Sequence, residues 1–187
     1  SVISNSYGNV VSSFYSTKYQ GSLEEMLVSP MPNWVILAGY VTGGVARGLA
    51  VGTIVTCLSL FFTQLDVHNL GIIVLVVLMT SILFSLGGFI NAVFANSFDD
   101  IAIVPTFILT PLTYLGGVFY SIDLLPDFWA SVSQLNPILY MVNAFRFGIL
   151  GVSDIPVGYS LLVICGFIIA LFSYCMHLLN TGKGIRK

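Results

Sequence analysis

Four long runs of apolar residues, almost free of charge, constrain this chain more than any other feature. Residues 34–63 contain one charge, Arg47, residues 70–94 and 101–120 contain none, and residues 156–179 contain a single histidine, His177. At about 1.5 Å of helix per residue, each run is long enough to cross a hydrocarbon core about 30 Å thick. The runs are continuous rather than alternating, which predicts membrane helices and not the strands of a barrel. Charged residues make up 7% of the chain, against roughly 25% in a soluble domain. With 57% hydrophobic residues and a mean hydropathy of +0.97, the sequence predicts an all-α integral membrane protein.

The remaining composition narrows the class. The net charge is −2 and no basic block occurs, so no nucleic-acid partner is expected. Cys57, Cys165 and Cys175 lie inside apolar runs and are read as small buried residues rather than a disulfide framework; no metal site is expected. The opening residues 1–17 are moderately apolar, too short to span, and carry no basic leader. They are read as the end of a helix that begins before Ser1, which makes the chain an N-terminally truncated fragment. If the spans alternate, Lys18, Arg47, Lys183, Arg186 and Lys187 fall on one side and Arg146 alone on the other. The positive-inside rule then predicts a cytoplasmic C-terminus and a cytoplasmic segment at 18–33.

Residues 121–150 would face outward, and they do not read as another span. Pro126 is placed at a helix start, and Phe128, Trp129 and Val132 follow at helical spacing. Asn136-Pro137 stops this piece and starts the next, with Asn136 as N-cap and Pro137 in the first helical position. Tyr140, Phe145 and Arg146 lie on the second piece. Each piece is about 12–18 Å of helix, too short to span, so the pair forms a hairpin that dips into the membrane or lies on it. A broken helical pair hung between full spans suggests a transport pathway more than a scaffold.

On the opposite side, residues 22–30 predict a two-turn amphipathic helix. Ser22 and Glu25 have capping-box spacing, Leu23, Met26 and Leu27 form an apolar face, and Pro30 and Pro32 end the helix. Two readings stand: a helix lying under the headgroups, or a docking helix gripped by a cytoplasmic partner.

These elements carry a family resemblance. The sequence E-E-M-L-V-S-P is followed by a glycine-rich span, a short acidic loop at Asp99 and Asp100, the string P-L-T-Y-L-G-G-V-F-Y-S, then L-P and L-N-P-I-L-Y-M-V-N-A-F-R. In this order they resemble the ABC-2 type permeases, the membrane subunits of bacterial exporters of drugs, polysaccharides and nodulation factors. The resemblance covers essentially the whole chain. It implies a six-helix fold, here from the end of span two through span six, with a re-entrant hairpin before the last span. It implies that Ser22, Leu23, Glu24, Glu25, Met26, Leu27 and Pro30 form a coupling helix seated in a separate ABC ATPase, and that this ATPase binds the ATP and magnesium. It further implies a second permease subunit in a homodimer, a place in the bacterial inner membrane, and an outer gate at Gly116, Gly117, Tyr120, Pro126, Trp129, Asn136, Pro137, Tyr140 and Arg146.

Single residues admit a structural and a functional reading. Gly44, Gly48 and Gly52 are spaced by four, which lets helices approach closely, either within the subunit or at a dimer interface. Arg47 is expected near the cytoplasmic end, where it can snorkel to phosphates. Asp99 and Asp100 favour a helix N-terminus or contact the ATPase. Gly87, Gly88 and Asn91 are expected to pack or bond between helices, and Pro105 and Pro111 to kink the fifth span. Trp129, Tyr120 and Tyr140 fit an aromatic belt at the outer interface, and Arg146 either reaches outer headgroups or meets an anionic substrate.

No G-x-S-x-G, H-E-x-x-H or P-loop pattern occurs, so the chain is not expected to be an enzyme. The spans lack the buried acids of an ion-coupled carrier, so energy must come from outside the chain. Membrane lipids are the expected surroundings, and apolar and small residues along the path hint at an amphipathic or lipid-linked cargo. The alternative is a non-transport scaffold or sensor that uses residues 22–30 to recruit a cytoplasmic protein.

Overall fold

The most apolar run becomes the centre of the structure. A computed structural model describes residues 1–62, 67–118, 124 and 126–185, and all the regular structure among them is helical. Helices α1 (Val2–Tyr19), α2 (Ser22–Val28), α3 (Asn33–Phe62) and α4 (Leu70–Phe94) come first. A broken span follows, made of α5 (Phe98–Val104), a π-helical turn (Pro105–Leu109) and α6 (Thr110–Leu115). Then come α7 (Asp127–Gln134), α8 (Pro137–Leu150) and α9 (Val157–Thr181). Four stretches have the length and composition of membrane spans: Asn33–Ser59, Leu70–Phe94, Phe98–Leu115 and Val157–Thr181. The second matches the sequence reading residue for residue, and the others differ by a few residues at their ends.

Helix α4 packs on α1, α3, α8 and α9. Its Leu86, Phe89, Ala92 and Val93 are almost completely buried, and the Phe89 ring packs at a tilt of 53° with its centre 4.5 Å from that of Phe14 on α1. The broken span is the opposite case. Only 6% of its apolar window is buried, against 44% for α4, so it stands at the edge of the bundle. Its start is nevertheless well formed. Ser97 accepts from Asp100 N, and Asp100 accepts from the backbone of Asn96 and Ser97. This capping box is one that the sequence reading does not identify, although it places the two acids at a helix N-terminus. Pro105 brings the expected irregularity as a π turn: Thr110 N donates to Pro105 O, five residues back. Asn91 Nδ2 donates to Ile101 O at 3.4 Å and so bridges α4 to α5, as expected.

Small residues decide how α1, α3 and α4 meet. A Cβ on Gly44 would run into Ser85 Oγ and lie 2.7 Å from Val10 Cγ2; on Gly48 it would meet Ser6 Oγ and Ser81 Oγ. A Cβ on Gly88 would lie 2.6 Å from Tyr7 O. The spaced glycines of α3 therefore serve packing within the subunit. Helices α1 and α3 run antiparallel, since Tyr40 bonds Thr17 near one end and Gly52 faces Val2 near the other.

Two expectations are corrected here. Arg47 lies between Gly44 and Gly48, level with the Ser81–Ser85 stretch at the middle of α4. About 15–20 Å of helix separates that level from Phe94, too far for snorkelling to the nearer headgroups. Cys175 is buried, as expected, but Cys57 and Cys165 are exposed on the outer surface of their helices.

The close approach predicts a sharp contrast. Gly48→Val should destabilise the detergent-solubilised protein by about 1–3 kcal/mol through overpacking. Gly39→Ala, where a Cβ meets nothing within 4 Å, should leave the melting temperature unchanged or slightly raised. Equal melting temperatures for the two variants would contradict the packing described.

Candidate functional site

Two features stand at opposite ends of the bundle. At one end Gly21, with φ of 76°, turns the chain from α1 into α2. The Ser22–Glu25 capping box is not formed: Ser22 is already helical, and Gly21 at the N-cap has no side chain to accept an amide. The amphipathic division does hold. Leu23 is 2% exposed, and Met26 and Leu27 pack against the core, whereas Ser22, Glu24, Glu25 and Pro30 face out. Val28 is 86% exposed, so α2 presents two acids and an apolar tip.

The last turns of α1 connect α2 to the rest of the bundle. Lys18 Nζ donates to Val93 O at 2.7 Å and Ala95 O at 3.1 Å, and so caps the C-terminus of α4. Tyr15 donates to Asn96 O, and the rings of Tyr15 and Tyr19 pack on Phe98 at 4.9 and 5.8 Å. The base of α2, the end of α4 and the start of α5 are thus held together. Asp99 is exposed at that start, while Asp100 is engaged in its cap.

At the other end α7 and α8 form the expected pair of short helices. Asn136 is the N-cap of α8 and Pro137 its first residue, as read from the sequence. Asn136 accepts from Ile138 N, and its Nδ2 donates to Leu112 O at 2.6 Å, which ties the hairpin to the broken span. Ile138 presses on Gly116, where a Cβ would lie 2.6 Å from it. Pro126 is the N-cap of α7 rather than its first residue. Trp129 is 47% exposed, whereas Tyr140, expected in the same aromatic belt, is buried and donates to Gln134 O at 2.8 Å. Its role is to brace the hairpin. Burial raises the Tyr140 hydroxyl above the ordinary tyrosine range, and Tyr159 adds to the effect. Tyr120 lies outside the described residues, as do Arg186 and Lys187 at the far end.

Arg146 is held rather than free. It donates to Asp154 Oδ2 at 3.0 Å and to Gly117 O at 2.9 Å, joining α8, the loop before α9 and the left-handed turn at Gly117 (φ 72°). The centre of this network is Asn143, which the sequence reading misses. Its Nδ2 donates to Ile155 O and Ser160 Oγ, and its Oδ1 accepts from Asp154 N and Ile155 N. An amide seven residues after Asn136, in a helix whose only charged residue is Arg146, is the signal available. His68 N and Asn69 N donate to Ile149 O and Gly148 O, which seats the end of α8 on the start of α4. Among the described residues no cluster of His, Cys, Asp or Glu could hold a metal ion.

Comparison with known proteins gives a consistent picture. Residues 1–150 match the family model described as ABC-2 type transporter. The whole chain is 54% identical to the inner membrane transport permease YadH of Escherichia coli K12 and covers 73% of that protein. The same identity and coverage hold for the protein of that name in Shigella flexneri. Nodulation protein J of Rhizobium leguminosarum bv. viciae is 21% identical over 174 residues, 93% of this chain and 67% of that protein. No solved structure matches.

The network separates strong from weak contacts. Asn143→Ala leaves two backbone amides without acceptors and should cost about 1–3 kcal/mol, with faster hydrogen exchange at residues 151–156. Asp154→Asn removes an ion pair whose partners are each more than a quarter exposed and should cost at most about 1 kcal/mol. A larger loss for Asp154→Asn than for Asn143→Ala would reverse this ranking.

Proposed function

The chain belongs to the ABC-2 type transporter family, and on that premise we propose that it is the membrane permease subunit of an ATP-driven exporter. The observation that carries the reading is α2. It is a seven-residue helix anchored by Leu23 and joined through α1 to α4 and α5, and it projects Glu24, Glu25 and Val28 away from the bundle. A lever of this kind needs a partner that pushes on it. The chain has no P-loop, so the partner supplies ATP hydrolysis, with ATP and magnesium bound there.

In this reading the exposed Ser22, Glu24, Glu25 and Pro30 meet the ATPase, and exposed Asp99 adds a second contact; Leu23, Met26 and Leu27, expected in the same contact, instead hold α2 on the bundle. The α2 end and the C-terminus face the cytoplasm, in keeping with Lys18 and Lys183 at that end. The α7–α8 hairpin then sits at the outer face of the inner membrane, the location named for YadH. Two permease subunits form the path, and closure of the ATPases moves each as a packed body. Gly116, Gly117, Asn136 and Arg146 hold the outer gate, and an amphipathic or lipid-linked cargo moves outward.

The test is the full-length permease reconstituted with its ATPase. Replacing Glu24 and Glu25 with Lys should abolish permease-dependent ATPase stimulation and weaken complex formation at least tenfold, equivalent to about 1.4 kcal/mol. Unchanged binding and ATPase activity would remove α2 from the coupling role.

A further inference from the structure

Helix α1 is polar on the side that faces away from the bundle. Its buried side is Tyr7, Val10, Val11, Phe14 and Tyr15 around Ser6. Asn5, Asn9, Ser12 and Ser16, spaced by four, three and four, form the opposite stripe, and all four are at least partly exposed. A helix with its apolar side packed inward and amides and hydroxyls outward is a poor lipid neighbour, because polar groups at membrane depth need water or protein.

Arg47 borders this stripe. A Cβ on Gly43 would lie 3.4 Å from Asn9 Oδ1, and one on Gly52 would lie 3.1 Å from Val2 Cγ2. The antiparallel register between those contacts puts Asn5 opposite Arg47, one helical turn on. Arg47 is exposed, stands at the middle of the bundle, and has no ion-pair partner among the described residues. Asn9 makes no side-chain hydrogen bond among them either. A cation at that depth needs a hydrated or paired setting, and the adjoining amides and hydroxyls provide hydrogen-bonding company that lipid tails do not.

We propose that Arg47 with Asn5, Asn9 and Ser12 forms a hydrated wall of the transport path that binds the anionic, hydroxyl-bearing part of the cargo. The guanidinium supplies charge and paired donors for a phosphate or carboxylate, and the Asn9 amide takes neighbouring hydroxyls, while Asn5 and Ser12, which donate to Ser1 O and Gly8 O, offer their oxygens as acceptors. This rests on the exporter reading and specifies its cargo: the apolar part travels with the lipid side and the anionic part passes this wall.

Charged thiol reagents test the wall without knowledge of the cargo. Full-length permease with every native cysteine, Cys57, Cys165 and Cys175 among them, replaced by Ala is assembled with its ATPase in nanodiscs. Single cysteines at Asn5, Asn9 and, as a lipid-facing control, Leu162 are treated with anionic sulfonatoethyl and cationic trimethylammonioethyl methanethiosulfonate. The positions on α1 should react with both and Leu162 with neither, the anionic reagent being several-fold faster. Arg47→Gln should abolish that preference and Arg47→Lys should keep it. Inert α1 cysteines would mean that another helix or lipid covers the face, and equal rates would mean no anion site; either result overturns the proposal. If the wall behaves as expected while the permease neither binds nor stimulates an ATPase, the site stands and the exporter reading fails. ATPase coupling through α2 with an unreactive wall would leave the exporter reading standing and remove the site.

Discussion

The close approach of α1, α3 and α4 around Ser6 is the contact on which the rest of the structure depends. Lipid tails are as apolar as leucine, so helices in a bilayer gain little from burying hydrophobic surface against each other. They associate where small side chains let backbones approach and many weak contacts accumulate. Gly44, Gly48 and Gly88 provide such points, and each would bring a Cβ into a neighbouring helix. Phe14, Tyr40 and Phe89 fill the wider space beyond them, with ring centres 4.5 to 6.3 Å apart. With these three helices fixed, α4 is free to carry the other elements on its remaining sides.

This arrangement makes α4 a strut between two ends with different chemistry. At one end Lys18 caps its C-terminus, and the same turns of α1 lead into α2. At the other, the end of α8 is bonded to the residues that begin α4, and Asn143 and Arg146 tie α8 to the start of α9 and the end of α6. A continuous series of packed helices, α2 on α1, α1 on α4, α4 on α8 and α8 on α7, therefore links the two ends. The broken span is the exception. It touches α4 and α8 only lightly, and its π turn at Pro105 marks a place where the helical register already changes.

Much of the fold is legible in the sequence because hydrophobic continuity is a direct physical requirement of a span. Residues 70–94 can be read to the residue, and the Asn136-Pro137 break is readable because a capping side chain and a fixed φ act locally. What is not legible depends on tertiary context. Ser22 and Glu25 have the spacing of a capping box, but the turn at Gly21 starts the helix one residue too early for it, while Ser97 and Asp100 form the real one. The depth of Arg47 cannot be judged from its distance to the start of an apolar run, because α3 begins well before the level of α4's end. Among the candidate site residues, Arg146 and Tyr140 are fixed by partners that no local pattern reveals, Gly117 and Gln134 among them. Asn143 escapes a sequence reading because its four bonds exist only in the folded hairpin.

On the exporter reading, α2 and the α7–α8 hairpin are the two ends of one packed body driven by ATP. Electron-electron double resonance on the full-length complex tests it most directly, with nitroxides at position 28 of both subunits in one sample and at position 128 in another. Val28 and Phe128 are both exposed, so labelling leaves the packing intact. ATP with magnesium should shorten the distance between the two α2 helices and change the distance between the two hairpins in the same step. A change at position 28 with an unaltered distribution at position 128 would contradict the account.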